Sequence, residues 1–377
     1  MTMLRHFLSK LAASVILASL ITMPSAHSAV KAGDSCKKVG VTSTANGKKY
    51  KCIKSGKKLL WNKGVTVVKA TAPKTIAEAL ANYSQVPSWA FKKSAETISK
   101  SPSKKLLFTF LVGPNTNPIY EVPQIPTGLV SKMFPSYELT KEFVIIYYNF
   151  QDVKWAEVNF SAYIGETAGY DTSGEVKKHC QSASLCESAS AVTNSVTGTT
   201  VLLITSADYK KSDRHFNSGT MEAHEFFHGY QNAQFTGNGR SNAMMPRWLV
   251  EGSASFVEMA SVYSNDFTKY LGAKGSLLTQ LQYQKSFREE DLIKFLDAPS
   301  LGTNWSSWDS YPQQRVYDIG MLVSEIMVAV AGPESLLEQF KLVASGLSYK
   351  QAFEKVFGVS WEEGVKLIAK AISRETS

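Results

Sequence analysis

The spacing of apolar residues differs between the two halves of the chain, and this difference predicts the order of its elements. Residues 76–83 and 89–98 have the apolar period of helices. Four later runs are rich in Val, Ile, Phe and Tyr and lie between Pro and Gly turns, which predicts strands at residues 106–112, 143–148, 158–164 and 200–205. From Gly219 onward the pattern is helical almost throughout, including residues 317–330, 334–344, 349–357 and 361–373. We therefore predict an α+β fold with a sheet part over residues 75–210 and a helical part over residues 219–377.

The first 29 residues have the layout of a cleaved secretory signal. Arg5 and Lys10 precede an apolar run at residues 11–23, which Pro24 and a stretch of small residues follow. The run is too short for a stable membrane span, which needs about 20 apolar residues. We expect a bacterial, extracytoplasmic protein, secreted or associated with the cell envelope, with no transmembrane helix after cleavage. The alternative is an uncleaved membrane anchor.

Four cysteines form two pairs that are close in sequence, Cys36 with Cys52 and Cys180 with Cys186. An even number of cysteines on an exported chain favours disulfides, and no Cys-x-x-Cys pattern suggests a zinc ribbon. We predict one local disulfide in each pair.

The formal charge of +9 is unevenly distributed, because residues 31–74 contain twelve lysines and one aspartate. The rest of the chain is mildly acidic, which argues against a nucleic-acid-binding protein. Glycine turns between lysine-rich runs predict a small basic disulfide module at residues 30–63 and a linker at residues 64–74. Two hypotheses follow: residues 31–71 bind an anionic polymer of the cell envelope, or the segment is a solvated spacer.

The sequence His224-Glu225-Phe226-Phe227-His228 carries the candidate chemistry. On a helix over residues 220–235, which Asn217 or Ser218 could cap, the two imidazoles lie about 6 Å apart along the axis on one face. Two nitrogens in this arrangement suit one zinc ion. Glu225 then lies beside the metal, where it could accept a proton from a water molecule.

A catalytic zinc ion needs a third protein ligand and one open position. A second predicted helix begins near Pro246 and contains Trp248-Leu249-Val250-Glu251-Gly252, and Glu251 is the predicted third ligand. Ser255 and Glu258 follow on the same side of that helix. They either contact a ligand imidazole or lie on the helix surface.

A His-Glu-x-x-His helix followed by a Trp-Leu-x-Glu-Gly helix resembles the gluzincin metallopeptidases, the superfamily of thermolysin and the M1 aminopeptidases. The resemblance covers about residues 200–375, is strongest at residues 220–258, and implies a thermolysin-like catalytic domain over residues 75–377. Tyr317-Asp318-Ile319-Gly320 is similar to the Tyr-x-x-Gly of the M1 group, which implies that the Tyr317 hydroxyl stabilises the tetrahedral intermediate. Tyr311 and His215 are alternatives for that role.

The chain also departs from these families. It has no Gly-x-Met-Glu-Asn sequence ahead of His224, which favours internal cleavage over exopeptidase action, and Ser255 stands where thermolysin has an acidic residue. The predicted function is an exported zinc metallopeptidase that hydrolyses a peptide or protein substrate. His224, His228 and Glu251 hold one Zn²⁺ ion, and Glu225 is the general base for the zinc-activated water. We also predict that the strand at residues 200–205 pairs with the substrate. The alternative is a metallopeptidase-like protein of weak or no activity that binds the cell envelope through its lysine-rich module.

Overall fold

The computed structural model describes residues 30–66, 71–137, 139, 142–165, 171–279, 287–298 and 314–376. The predicted leader and Tyr311 lie outside these ranges. The chain divides into two compact units, Met1–Ala70 and Thr71–Ser377.

The described part of the first unit is a small antiparallel sheet. Its strands are β1 (Thr42–Ala45), β2 (Lys48–Ser55), β3 (Lys58–Trp61) and β4 (Val65–Thr66), and β2 pairs with each of the other three. Tyr50 and Cys52 of β2 are buried, whereas the lysines of this strand are exposed. The disulfide between Cys36 and Cys52 is present as predicted, and it ties the segment before β1 to the central strand.

The second unit contains a four-stranded sheet with the order β5-β6-β10-β9. Its strands are β5 (Phe108–Val112), β6 (Phe143–Tyr148), β9 (Ala189–Thr193) and β10 (Thr200–Thr205). The strands β5, β6 and β10 are parallel, and β9 runs antiparallel to β10. Every residue of β6 and β10 is buried, as expected for apolar strands covered on both faces.

Helices intervene between the strands, so the predicted sheet part is mixed. They are α1 (Ile76–Ala81), α2 (Val86–Lys100), α3 (Gln124–Met133), α4 (Val153–Ile164) and α5 (Thr172–His179). A short hairpin of β7 (Cys180–Ser182) and β8 (Leu185–Cys186) contains the second predicted disulfide, Cys180–Cys186.

The strand predicted at residues 158–164 is wrong, because this segment is the second half of α4. Ala156, Phe160 and Ile164 are buried at intervals of four residues, whereas Val158 is 62% exposed. In a strand Val158 would share the buried face of these three residues, whereas on a helix it projects from the opposite side.

The described remainder of the second unit is mainly helical, as predicted. Its helices are α6 (Arg214–Asn217), α7 (Thr220–Ala233), α8 (Arg247–Val262), α9 (Phe267–Leu277), α10 (Glu289–Asp297), α11 (Arg315–Ala331), α12 (Glu334–Ala344), α13 (Tyr349–Phe357) and α14 (Trp361–Thr376). Helix α11 is buried over nearly its whole length and packs against α8. Within the described ranges no single helix has the length and apolarity of a membrane span, and α11 with α12 pass that test only as a pair bent by 100°.

The predicted N-cap of α7 is wrong. Asn217 is the last residue of α6, and the N-cap of α7 is Gly219, which makes no side-chain capping bond and has a φ of 84°. A Cβ atom at Gly219 would lie 2.8 Å from Cζ of Tyr120. Only glycine combines the left-handed backbone conformation of this turn with the lack of a Cβ atom that the close contact requires.

Candidate metal centre

Helix α7 places His224 and His228 one turn apart on the face that points toward α8. The ring centroids lie 4.9 Å apart, and both side chains are mostly buried. The predicted helical spacing of the two imidazoles is therefore present.

Glu251 approaches the two imidazoles from the second turn of α8. Its Oε2 atom lies 3.6 Å from Nε2 of His224 and 3.4 Å from Nε2 of His228. The three donor atoms all lie within 4.8 Å of one another, so the group could hold a metal ion. Tetrahedral ligands at about 2.0–2.1 Å from a zinc ion are separated by about 3.4 Å, which is close to the two carboxylate–imidazole distances. Two imidazole nitrogens and one carboxylate oxygen therefore fit zinc in donor type and spacing.

Each imidazole is held from behind by a hydrogen bond. Oε2 of Glu258 accepts from Nδ1 of His224 (2.8 Å), and Oε1 of Gln231 accepts from Nδ1 of His228 (2.7 Å). These bonds leave the Nε2 atoms directed toward Glu251. Of the two residues that the sequence left open, Glu258 contacts the imidazole of a ligand candidate, His224. The sequence reasoning missed Gln231, although its position three residues after His228 on the same helix could have indicated it.

Gln231 also links the two helices of the centre. Its Nε2 atom donates to the backbone oxygen of Val250 (2.9 Å) and to Oγ of Ser253 (3.0 Å), both on α8. The His228 side chain is therefore oriented by the same helix that carries Glu251.

The three ligand candidates strongly shift one another's pKa values. Burial disfavours the charged form of each, but hydrogen bonds from the two imidazoles outweigh this for Glu251 and hold its pKa far below the usual range. Burial also opposes a charged His224, yet Glu251 and Glu258 outweigh it and raise its pKa. The same balance, dominated by Glu251, raises the pKa of His228. A metal ion would replace these protons with its own positive charge.

Glu225 and Tyr317 lie in the wall of the same cleft, whose volume is about 1290 Å³. Glu225 follows His224 on α7 and is 6% exposed. The Tyr317 ring centroid lies 6.1 Å from that of His224. Burial, and then the negative charge of Glu251, raise the pKa of Tyr317, so its hydroxyl is protonated at neutral pH.

A backbone contact between α8 and α11 determines where Tyr317 lies. A Cβ atom at Gly252 would stand 2.1 Å from the backbone carbonyl carbon of Gly320, so the two helices cross without space for side chains. Gly252 follows Glu251, and Gly320 lies one turn after Tyr317. The crossing therefore brings the ring of Tyr317 to 6.1 Å from the ring of the ligand candidate His224.

Strand β9 forms another wall of the cleft, and this corrects the predicted substrate strand. The predicted strand, β10, lies between β6 and β9, so both of its edges are already paired. Within the described residues β9 pairs only with β10, and residues 189–193 line the cleft. The sequence analysis missed β9 because its small residues have little apolar character.

His215, the other alternative to Tyr317, also lines the cleft. Its Nδ1 atom lies 3.7 Å from Oε1 of Glu258 and 3.3 Å from Oγ1 of Thr220. His215 is thus connected to the ligand candidate His224 through the carboxylate of Glu258.

Comparisons with protein-family models, with curated proteins and with solved structures found no match to this chain. What can be said of its function therefore depends on the geometry of the site itself.

Proposed function

We propose that this protein is an exported zinc metallopeptidase of the gluzincin type, with a thermolysin-like catalytic domain that cleaves peptide or protein substrates internally. The observation that carries the proposal is the convergence of His224, His228 and Glu251, from two neighbouring helices, within 4.8 Å. The two disulfides support an oxidising, extracytoplasmic location.

The proposed chemistry needs both a metal and protein groups. Zinc, when bound by the three ligands, would supply a Lewis acid that polarises a carbonyl oxygen and lowers the pKa of water toward about 7. Glu225, next to a ligand in the cleft wall, would accept the proton of the attacking water and pass it to the leaving amine. The neutral hydroxyl of Tyr317 would donate a hydrogen bond to the oxygen atom that becomes negative.

The edge of β9 gives the substrate an orientation. Asn194 N donates to Thr199 O (2.8 Å), and Thr205 N donates to Ser188 O (3.2 Å). In an antiparallel ladder every second residue of a strand bonds to the neighbouring strand. Ser190 and Val192 therefore also bond to β10, whereas the backbone groups of Ala189, Ala191 and Thr193 point to the free edge. An extended peptide could pair with these outward groups and present its backbone to the metal centre.

The test is a comparison of zinc content and peptide hydrolysis for the wild type and Glu225→Gln. We expect the variant to keep one zinc ion per chain and to lose hydrolysis by about 10²–10⁴-fold, because only the proton acceptor is removed. Glu354→Gln, at an exposed position of α13, is the matched control. If Glu225→Gln cleaves a peptide library at the wild-type rate, Glu225 is not the base. If the zinc-loaded wild type cleaves no peptide, the proposal fails.

The second candidate function is binding of an anionic cell-envelope polymer by the first unit. Residues 30–66 contain ten lysines, and within the described part of the chain none of them belongs to an ion pair. Sedimentation of the full chain with purified cell walls at increasing salt tests this function. If the zinc-loaded protein binds cell walls more weakly as the salt concentration increases and has no peptidase activity, this candidate is favoured over the enzyme.

A further inference from the structure

Four of the lysine and arginine side chains that the structure describes line the cleft around the candidate metal centre, and Arg240 differs from the other three. No hydrogen bond or ion pair joins its side chain to the described part of the chain, and its buried Nε atom has no acceptor there. The other three have protein partners: Lys178 pairs with Glu175 (2.6 Å), Arg214 donates to the backbone oxygen of Ala273 (3.2 Å), and Arg247 pairs with Glu251 (3.3 Å).

A second donor lies in the same part of the cleft wall. Asn232, in the last turn of α7, accepts a hydrogen bond at its Oδ1 atom from Nδ2 of Asn242 (2.7 Å). This bond fixes the orientation of the Asn232 amide, and its Nδ2 atom makes no hydrogen bond to the described residues. Asn242 follows Arg240 by two residues, so the contact brings the loop that carries Arg240 against the end of α7. All three side chains line the cleft.

The loop before Arg240 is shaped by its backbone. Gly237 and Gly239 have left-handed φ angles of 80° and 71°, and the backbone N–H of Arg240 donates to Oδ1 of Asn238 (3.1 Å). None of these features involves the arginine side chain. A substitution of that side chain should therefore leave the loop in place.

We propose that Arg240 and Asn232 form a subsite that binds a carboxylate group of the substrate, so that the proposed peptidase prefers acidic peptides. This proposal rests on the proposed function, because it names the substrate class of the same cleft. The carboxylate belongs either to an Asp or Glu side chain or to the C-terminus of the peptide. Both sources have the same chemistry, and the test separates them.

A carboxylate suits these donors in charge and in shape. The planar guanidinium group can donate two parallel N–H bonds to the two oxygens of one carboxylate, and the amide of Asn232 can donate to a remaining lone pair. A buried donor without an acceptor is unfavourable, so an anion at Arg240 would also remove an unfavourable arrangement from the free protein. Carboxylates are the anionic groups of an unmodified peptide.

The first measurement is binding without hydrolysis. The full chain, freed of metal by a chelator, is titrated against fluorescent peptides of related sequence, and the anisotropy gives each dissociation constant. The parent peptide has an amidated C-terminus and no acidic residue. A series of variants places one Glu at each position in turn, and a further variant has a free C-terminal carboxylate. We expect one acidic peptide to bind the wild type about 10–100-fold more tightly than the parent, as for a charged hydrogen bond.

Three substitutions test the two donors. Arg240→Met should abolish the preference and leave the affinity for the uncharged parent peptide unchanged. Arg240→Lys keeps the charge but loses the paired donors, so it should keep part of the preference. Asn232→Asp keeps the acceptor for Asn242 but places a competing carboxylate in the subsite, so it should also weaken the preference. Arg288→Met is the matched control, because it removes the same charge from a residue that pairs with Asp291 at 2.8 Å.

The second measurement is hydrolysis of the preferred acidic peptide by the zinc-loaded full chain. Arg240→Met should raise KM by about 10–100-fold and change kcat little, because the carboxylate is bound equally in the ground state and the transition state. KM for the parent peptide should equal that of the wild type.

Equal affinities of the wild type for the parent and for every acidic peptide would overturn the proposal, and so would the absence of all binding. A preference that Arg240→Met retains in full would also overturn it. A preference for the Glu variants or for the free C-terminus supports it and identifies the source of the carboxylate.

The binding measurement separates this proposal from the proposed function. A chain that prefers acidic peptides in the metal-free state but hydrolyses none with zinc keeps the subsite and loses the peptidase assignment. A chain that hydrolyses acidic and uncharged peptides equally well, without a difference in affinity, keeps the peptidase assignment and loses the subsite.

Discussion

Glu258 accepts a hydrogen bond of 2.8 Å from the Nδ1 atom of His224, and the residue is only 7% exposed. A buried carboxylate behind an imidazole fixes its tautomer and orientation and makes its other nitrogen a better metal ligand. The contact spans α7 and α8, so it also links the two helices that carry the candidate metal ligands.

Glu258→Ala should therefore weaken metal binding. We expect about a 10–100-fold loss of zinc affinity, with the three ligands still present, because His224 loses the acceptor that orients it. Competition with a fluorescent chelator measures the affinity, and Glu354→Ala on the surface of α13 is the control. Equal zinc affinity in Glu258→Ala and the wild type would show that this hydrogen bond has no role in the metal centre.

Gly320→Ala should destabilise the protein, because the added methyl group would stand 2.1 Å from the backbone oxygen of Trp248. Helices α8 and α11 would have to separate, and overpacking of this kind costs about 1–3 kcal/mol or more. Chemical denaturation followed by circular dichroism measures the loss. Gly272→Ala on α9 is the control, since nothing lies within 4 Å of its Cβ position, and it should stabilise the helix by about 0.5–1 kcal/mol. Equal stability of the two variants would contradict the tight crossing.

Lys274→Met tests a buried ion pair that joins three helices. The ammonium group of Lys274 on α9 contacts Glu325 on α11 (2.5 Å) and Glu375 on α14 (2.6 Å), and Glu325 is fully buried. Removing the cation leaves a buried carboxylate uncompensated, which costs about 3–5 kcal/mol. Lys269→Met, at an exposed position of the same helix, should have almost no effect on the free energy of unfolding. If Lys274→Met lowers the free energy of unfolding by less than about 1 kcal/mol, the ion pair between Lys274 and Glu325 is not formed.

Glu175 should make stability depend on acid pH. Burial opposes its charge, but hydrogen bonds from His179, Lys178 and Ser190 outweigh this and lower its pKa from 4.5 to about 2. A lowered folded-state pKa adds stability above pH 4.5, and this contribution is lost as the pH falls from 4.5 toward 2.

The measurement is the free energy of unfolding of the wild type and Glu175→Gln as a function of pH. We expect Glu175→Gln to be less stable by about 1–2 kcal/mol near neutral pH, because charged hydrogen bonds are lost. The difference should shrink below pH 4.5. A difference that stays constant down to pH 2 would assign the effect to packing rather than to charge.

Ala191→Pro tests pairing of the substrate with β9. The backbone N–H of Ala191 points to the free edge, so proline removes a donor from that edge without removing a bond to β10. We expect a higher KM for long peptides and little change for a minimal substrate that does not reach β9. Circular dichroism checks that the fold is kept. Equal KM values in the variant and the wild type for long peptides would exclude this mode of binding.

Most elements of the fold follow from local sequence patterns. The strands at residues 143–148 and 200–205 and the helices from α11 to α14 agree with the prediction, because each has a clear apolar period or an uninterrupted apolar run. The errors lie where local signals are weak. Strand β9 is short and made of small residues, and residues 158–164 contain enough apolar residues to suggest a strand while belonging to a helix.

The three candidate ligands and the two disulfide pairs could be predicted from the sequence alone. Spacing along a helix and closeness in sequence constrain which of these side chains can meet. The contacts around the metal centre depend instead on how helices far apart in sequence cross. The Gly252–Gly320 crossing places Tyr317, and the packing of α7 on α8 brings Glu258 to His224 and Gln231 to Val250. Spacing along one element says nothing about the distance between two elements, so only the folded chain could reveal these contacts and the exposed edge of β9.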